Sequence, residues 1–419
     1  TYSMVGSVTV SGVLTLNSPS TGVNTFDISS QTLSLTGSGT PLVLNGNTFT
    51  ITSSTVNYQG TSATAITATT YHNLGVGFVS NAINTTYTLA GDMSVNGTLN
   101  VGATTGAGIH TFNASTYTIS IVGSGTPFRV NASGAFFANE STVNYVGTSI
   151  TAILNTAYYS LGIGTTANAT NVSYTIPASA SITVTSTLTI GAASGAGVHT
   201  LVAGTGTITL SQSGTPFVIN SFGVFTAQTS HVKYIGTSDT TIASTTYNNL
   251  TLGATSTGAA RTYTSLSSFT VGSLLTVLAP STGVNTLDIS NVILTLSGSG
   301  TPLVLNGNTL MTTGSTVNFT GTSATTIPVA DYAHLGAGTT VNTSNVTYSL
   351  ANDMTVSGVF TVGAAGGTGI HTVFASTTIL TLTGAGTPFV VNSAGVFSAS
   401  LGTVVFSHCL LYTSPSPRD

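Results

Sequence analysis

Gly37–Asn45 reads GSGTPLVLN: a Gly-Thr-Pro turn, a short apolar run, then asparagine. The same sentence returns as GSGTPFRVN, QSGTPFVIN, GSGTPLVLN and GAGTPFVVN. Its proline falls at Pro41, Pro127, Pro216, Pro302 and Pro388, at spacings of 86, 89, 86 and 86. Asparagine stands four residues after each proline, at Asn45, Asn131, Asn220, Asn306 and Asn392. Proline has no N–H to give a ladder, and asparagine suits corners with positive φ and bonds nearby backbone, so both series read as structural turn positions. An aromatic anchor recurs in step at Tyr2, Tyr87, Tyr174, Tyr263 and Tyr348. Regular repetition on this scale predicts an array of stacked units before it predicts an enzyme.

The repeats divide the chain at roughly 1–85, 86–173, 174–261 and 262–346, with a partial fifth over 347–408. Repeats one and four are closest, through STGVNTFDISSQTLSLTGSGTPLVLNGNT and STGVNTLDISNVILTLSGSGTPLVLNGNT. Repeats two and five share GIHTFNAST and GIHTVFAST, so a three-repeat period lies over the basic one. Within a repeat the pattern is strand, turn, strand. Met93, Val95, Leu99 and Val101 alternate with Ser94, Asn96, Thr98 and Asn100, and β-branched and aromatic residues fill the runs. No helix is predicted.

Charged residues make up 3% of the 419, with four Lys and Arg in all, while 41% is hydrophobic. That balance favours a folded β protein over disorder. Nucleic-acid binding needs clustered cations and is not expected. No apolar run is long enough to span a membrane as a helix.

Two architectures fit. One is an elongated parallel β-solenoid with about four coils per repeat of roughly 86 residues, each of about 21–22 residues. The other is a string of Ig-like β-sandwiches, which Asn96-Gly97, a good hairpin turn, favours. The solenoid is preferred: stacked Thr, Ser and Asn cover its faces without charge, the strands are very short, and no linker separates the repeats.

The search for chemistry returns little. Of the acids Asp27, Asp92, Glu140, Asp239, Asp288, Asp331 and Asp353, the equivalent pairs Asp27 with Asp288 and Asp92 with Asp353 lie one or more repeats apart, and the acids are not expected in one cleft, so paired-carboxylate catalysis is not predicted. Neither enzymatic activity nor a cofactor is expected. His110, His199 and His371 occupy equivalent places, the only candidates for metal ligation. Asn24 and Asn285 replace them in repeats one and four, and a repeat separates one histidine from the next, so a structural role is the stronger reading. Tyr58, Tyr145, Tyr234 and Phe319 recur as packing aromatics. Asn84, Asn113, Asn168, Asn171, Asn342 and Asn345 begin Asn-x-Ser/Thr sequons, at a frequency that composition explains.

Ser54–Tyr58 with Gly60-Thr61-Ser62, Tyr71-His72-Asn73-Leu74, Tyr247–Leu252 (YNNLTL) and Met93–Val101 together resemble the repeat of very large bacterial cell-surface, adhesin-like proteins. The likeness covers nearly all of the chain, which departs from it in carrying Ala-Thr-Ala-Ile where the family has Gln-Thr-Ile. The resemblance implies a structural repeat or stalk region, extracellular or at the cell surface, contributing to adhesion. Its partners would be an unknown surface ligand or neighbouring copies of itself, with end-to-end or edge association. A viral fibre shaft and an ice-binding Thr-rich solenoid are the alternatives. For the latter, Thr48-Phe49-Thr50, Thr183-Val184-Thr185 and Thr207-Ile208-Thr209 are not expected to align. Cys409–Asp419, CLLYTSPSPRD, breaks the pattern and resembles a translated sequencing adapter, so it is expected to be an artefact.

Overall fold

The computed structural model describes residues 1–254 and 258–407; the adapter-like Cys409–Asp419 lies outside them. The described residues contain strands and no helix. The chain falls into two compact units: Thr1–Gln212 with Pro216–Ser230, and Ser213–Thr215 with the chain from His231 onward. Each is a parallel β-solenoid.

In the first unit a strand pairs with the third strand before and after it, so three strands make one turn. Val8–Val10, Thr32–Leu35, Thr55–Tyr58, Asn73–Val76, Leu99–Val101 and Phe128–Val130 stack in parallel on one face. Thr70–Tyr71, Met93–Val95, Thr118–Ile121, Thr142–Tyr145, Ser160–Ile163, Leu188–Ile190 and Phe217–Ile219 stack on the next. A third carries Thr64–Ile66, Thr85–Leu89, His110–Asn113 and Gly134–Phe137. Alternation along each strand turns apolar side chains inward. Leu33, Val56, Leu74, Leu99 and Phe128 are in register and fully buried, so the core is a file of like on like.

The second unit repeats the plan. Ile293–Leu296, Thr316–Phe319, His334–Ala337, Phe360–Val362 and Phe389–Val391 form one parallel ladder. Asp331–Tyr332, Met354–Val356, Ile379–Leu382 and Thr403–Phe406 form another. Two strands, Thr246–Leu252 and Phe269–Val277, are long enough to turn a corner, the first with a register shift between Tyr247 and Asn249.

Parallel pairing removes the sandwich alternative, whose sheets are antiparallel. Asn96-Gly97 is therefore a corner and not a hairpin: its N–H groups donate to Tyr71 and His72 of the adjacent turn at 2.9 and 2.7 Å. Turns are uneven, not of the constant length expected. The turn that brings Ser160 beside Thr142 is among the shortest, and the one that brings Phe217 beside Leu188 is among the longest. The loops at the corners absorb the difference.

The count of strands refines the expected four coils per repeat. Eleven strands lie from His110–Asn113 through Leu188–Ile190, and eleven again from Thr286–Asp288 through Phe360–Val362. At three strands per turn this is three and two-thirds turns. Equivalent segments thus land on different faces: TVNY at Thr55–Tyr58 and TVNY at Thr142–Tyr145 belong to separate sheets of the first unit. Thr316–Phe319 and Thr403–Phe406 are likewise separate in the second. A coil with this advance completes whole turns only every third repeat, which is the period of the sequence likeness between repeats one and four and between two and five.

Candidate functional site

The proline and asparagine series hold turns together. The carbonyls of Pro41, Pro127, Pro216, Pro302 and Pro388 accept the N–H of Leu14, Leu99, Leu188, Leu275 and Phe360 at 2.7–2.9 Å. Proline immediately precedes each short strand, where it costs the ladder no donor. Asn131, Asn220 and Asn392 donate their amides to the Gly102, Gly191 and Gly363 carbonyls of the preceding turn at 2.7–2.8 Å. Asn45 and Asn306, which do take positive φ (48° and 51°), reach Leu16 and Val277 at 3.0 Å. The sequon asparagines are spent similarly: Asn84, Asn171 and Asn345 accept the N–H of Ile109, Val198 and Ile370 at 2.8 Å.

Carboxylates cap backbone as well. Asp92, Asp239 and Asp353 accept N–H groups of the next turn, from Thr118, Thr262 and Ile379, at 2.7–2.8 Å. Asp27 and Asp288 close Asx turns onto Ser29 and Ser290, both at 2.9 Å. The Ser29 hydroxyl and N–H hold the Asp27 carboxyl below its ordinary value. One expectation fails: Asp331 and Asp353 do line a common surface depression, because the coil places Asp331 beside Thr355 on the next turn.

His110, His199 and His371, in repeats two, three and five, are fully buried. Each ring lies 6.1 Å from a tyrosine of the adjacent turn, Tyr87, Tyr174 and Tyr348 respectively. Gly77, Gly164 and Gly338, all at positive φ, make the space: a Cβ there would overlap the imidazole. None of the ring nitrogens makes a well-formed hydrogen bond. Burial holds each below the usual histidine pKa, with the Val79 backbone partly opposing the shift at His110, so the rings are neutral packing groups. Among the described residues no three of His, Cys, Asp and Glu gather as a metal-binding group.

The aromatic series conceals a circuit. The Thr67 N–H donates to the Tyr58 hydroxyl (3.2 Å), which lies 2.9 Å from the Tyr71 hydroxyl, which donates to the Thr67 carbonyl (2.7 Å). Leu154 closes the same circuit with Tyr145 and Tyr158, and Ala243 with Tyr234 and Tyr247. All six rings are fully buried, and burial pushes the Tyr145 hydroxyl up to about 12. The partner series Tyr71, Tyr158, Tyr247 and Tyr332 was legible only as a fixed spacing of 13 within each repeat.

One cation departs from the repeat. Arg261 is only 5% exposed, and its guanidinium donates to the Gly236 carbonyl at 2.9 Å. The equivalent carbonyls of Gly60, Gly147 and Gly321 accept the hydroxyls of Tyr87, Tyr174 and Tyr348. Of the Thr-x-Thr segments, Thr183 and Thr209 prove to be register partners, contrary to expectation, because the turn between them is longer than an even coil would give.

No protein-family model, curated protein or solved structure matches the chain. No helix among the described residues is long and apolar enough to cross a membrane.

Proposed function

We propose that this chain is a structural repeat region, the stalk of a secreted bacterial surface protein, lying outside the cell or on its surface and contributing to adhesion. The observation that carries this reading is where the repeated polar residues go. Proline carbonyls, asparagine amides, aspartate carboxylates and the tyrosine circuits are consumed in bonds within and between turns, and the histidines are packed between turns. Repetition here maintains a coil. The outward positions carry Thr, Ser and Asn, whose hydroxyls and amides hydrate a surface with almost no charge.

Treating intact cells that carry the gene with protease tests the setting. Release of peptides from this chain before lysis is expected. Release only after lysis would overturn a surface location.

A further inference from the structure

The shortest turn of a repeat leaves a notch in the surface. Thr55 pairs with Asn73, His231 with Asn249 and Thr316 with His334, as close in sequence as any register partners and equalled by Thr142 with Ser160. The turns that follow are longer, bringing Ser94 beside Thr70 and Ile119 beside Met93. Depressions of about 450, 370 and 410 Å3 lie at these three equivalent places.

Their construction is shared. The floor is a nearly buried apolar side chain, Met93, Phe269 or Met354. Across it run side chains in register on three successive turns: Thr70, Ser94 and Ser120 in the first, Thr246, Thr270 and Thr295 in the second, Asp331, Thr355 and Thr381 in the third. No Lys or Arg lines any of the three. The core beneath is held constant, with Tyr71, Tyr247 and Tyr332 in the same place, while the rim changes from Thr118 to Ile293 to Ile379. A fixed scaffold under a varied rim is how recognition surfaces are built.

We infer that these notches bind a neutral, extended, β-linked glycan chain lying along the coil axis. Each hydroxyl on the rungs both donates and accepts, as a sugar hydroxyl does. The rungs are about 4.8 Å apart, comparable to the advance of one equatorially linked pyranose, so successive sugars meet successive rungs. The exposed Ile293 and Ile379 rims of the second and third notches offer apolar surface to the C–H faces of the rings. Each notch is shallow, so each is expected to hold a chain weakly. The inference rests on the surface-stalk reading for its biological setting only.

Saturation-transfer NMR on the full chain tests it, with cellohexaose as the probe and α-linked maltohexaose as the comparator. Transfer to cellohexaose and not to maltohexaose is expected. A combined Thr70→Val, Thr118→Val, Thr246→Val, Thr270→Val, Thr295→Val, Thr355→Val and Thr381→Val variant keeps β-branched side chains and removes threonine hydroxyls from all three notches; it should lose affinity by about tenfold or more. Should it fail to fold, Ser94→Ala, Thr270→Ala and Thr355→Ala together, one outward rung in each notch, should weaken binding by about threefold. No transfer to cellohexaose, equal transfer to both sugars, or unchanged binding by a folded variant would overturn the inference. None of these results touches surface location, and failure of the protease experiment leaves glycan binding standing.

Discussion

The hydroxyls of Tyr234 and Tyr247 lie 2.9 Å apart, and both are tied to Ala243, whose N–H donates to the first at 3.1 Å and whose carbonyl accepts from the second at 2.7 Å. Repeat four lacks the first link at both ends together: Phe319 has no hydroxyl and Pro328 has no N–H, while Tyr332 still donates to the Pro328 carbonyl at 2.7 Å. A buried donor left alone costs about 1–3 kcal/mol, whereas losing both partners is nearly neutral. Tyr234→Phe should therefore destabilise by about 1–3 kcal/mol, and adding Ala243→Pro should recover part of that loss. Urea denaturation of the two variants measures this; a double variant weaker than the single one would refute the coupling.

The buried histidines make stability depend on acid. Their folded pKa values lie below the ordinary value of 6.5, so their contribution is complete above that pH and is lost as pH falls through it. Below it, each costs up to roughly 1.4 kcal/mol per pH unit until it protonates in the fold. The neighbouring rings, Tyr87, Tyr174 and Tyr348, are pushed up to about 12 and stay neutral throughout. His231, lowered by burial and by Lys233, adds to the trend in the second unit. Replacing His110, His199 and His371 with leucine forfeits no well-formed hydrogen bond. It should flatten the fall of the urea midpoint as pH drops below 6.5; an unchanged slope would contradict this.

Gly164 sits at φ 59° against the His199 ring. Gly164→Ala adds backbone strain and a steric overlap, and should destabilise by about 2–4 kcal/mol. His199→Gly in the same chain removes both the ring and the Cβ that the new methyl would meet, and should relieve the overlap but not the strain, so thermal melts should show partial rescue. Full rescue or none would show that the glycine and the ring do not meet.

Tyr2–Ser3 and Thr403–Phe406 are each paired on one side, to Thr25–Asp27 and Ile379–Leu382. Among the described residues these are therefore open strand edges, with Val5 and Leu401 exposed beside them. Uncharged edges recruit further strands. Sizing chromatography should show association that grows with concentration, and a monomer at all concentrations would contradict it.

The fold was legible because its signals are local. Period-two runs such as Thr55–Tyr58 announce strands, and Pro41 with Asn45 announces a corner. The turn length was not legible, since corner loops such as Gly77–Asn84 vary freely without changing the core files they connect. Asn96-Gly97 misled because a tight corner and a hairpin use the same residues; only the partner strand distinguishes them. The three-repeat period was visible in the letters, but its cause, eleven strands on a three-strand turn, needs the register. The notches were hidden for the same reason, because Thr70, Ser94 and Ser120 are neighbours only once the turn lengths are known.

Register is also where the account is most exposed. Ser94 and Ser120 are outward-facing partners on adjacent turns, within the Cα separation of about 4.4–6.8 Å that a disulfide spans. In a Cys409→Ser background, Ser94→Cys with Ser120→Cys should oxidise readily to an intramolecular disulfide, while Ser94→Cys with Leu99→Cys should not. Bridging of the second pair and not the first would place an antiparallel hairpin at Asn96-Gly97 and contradict the parallel coil.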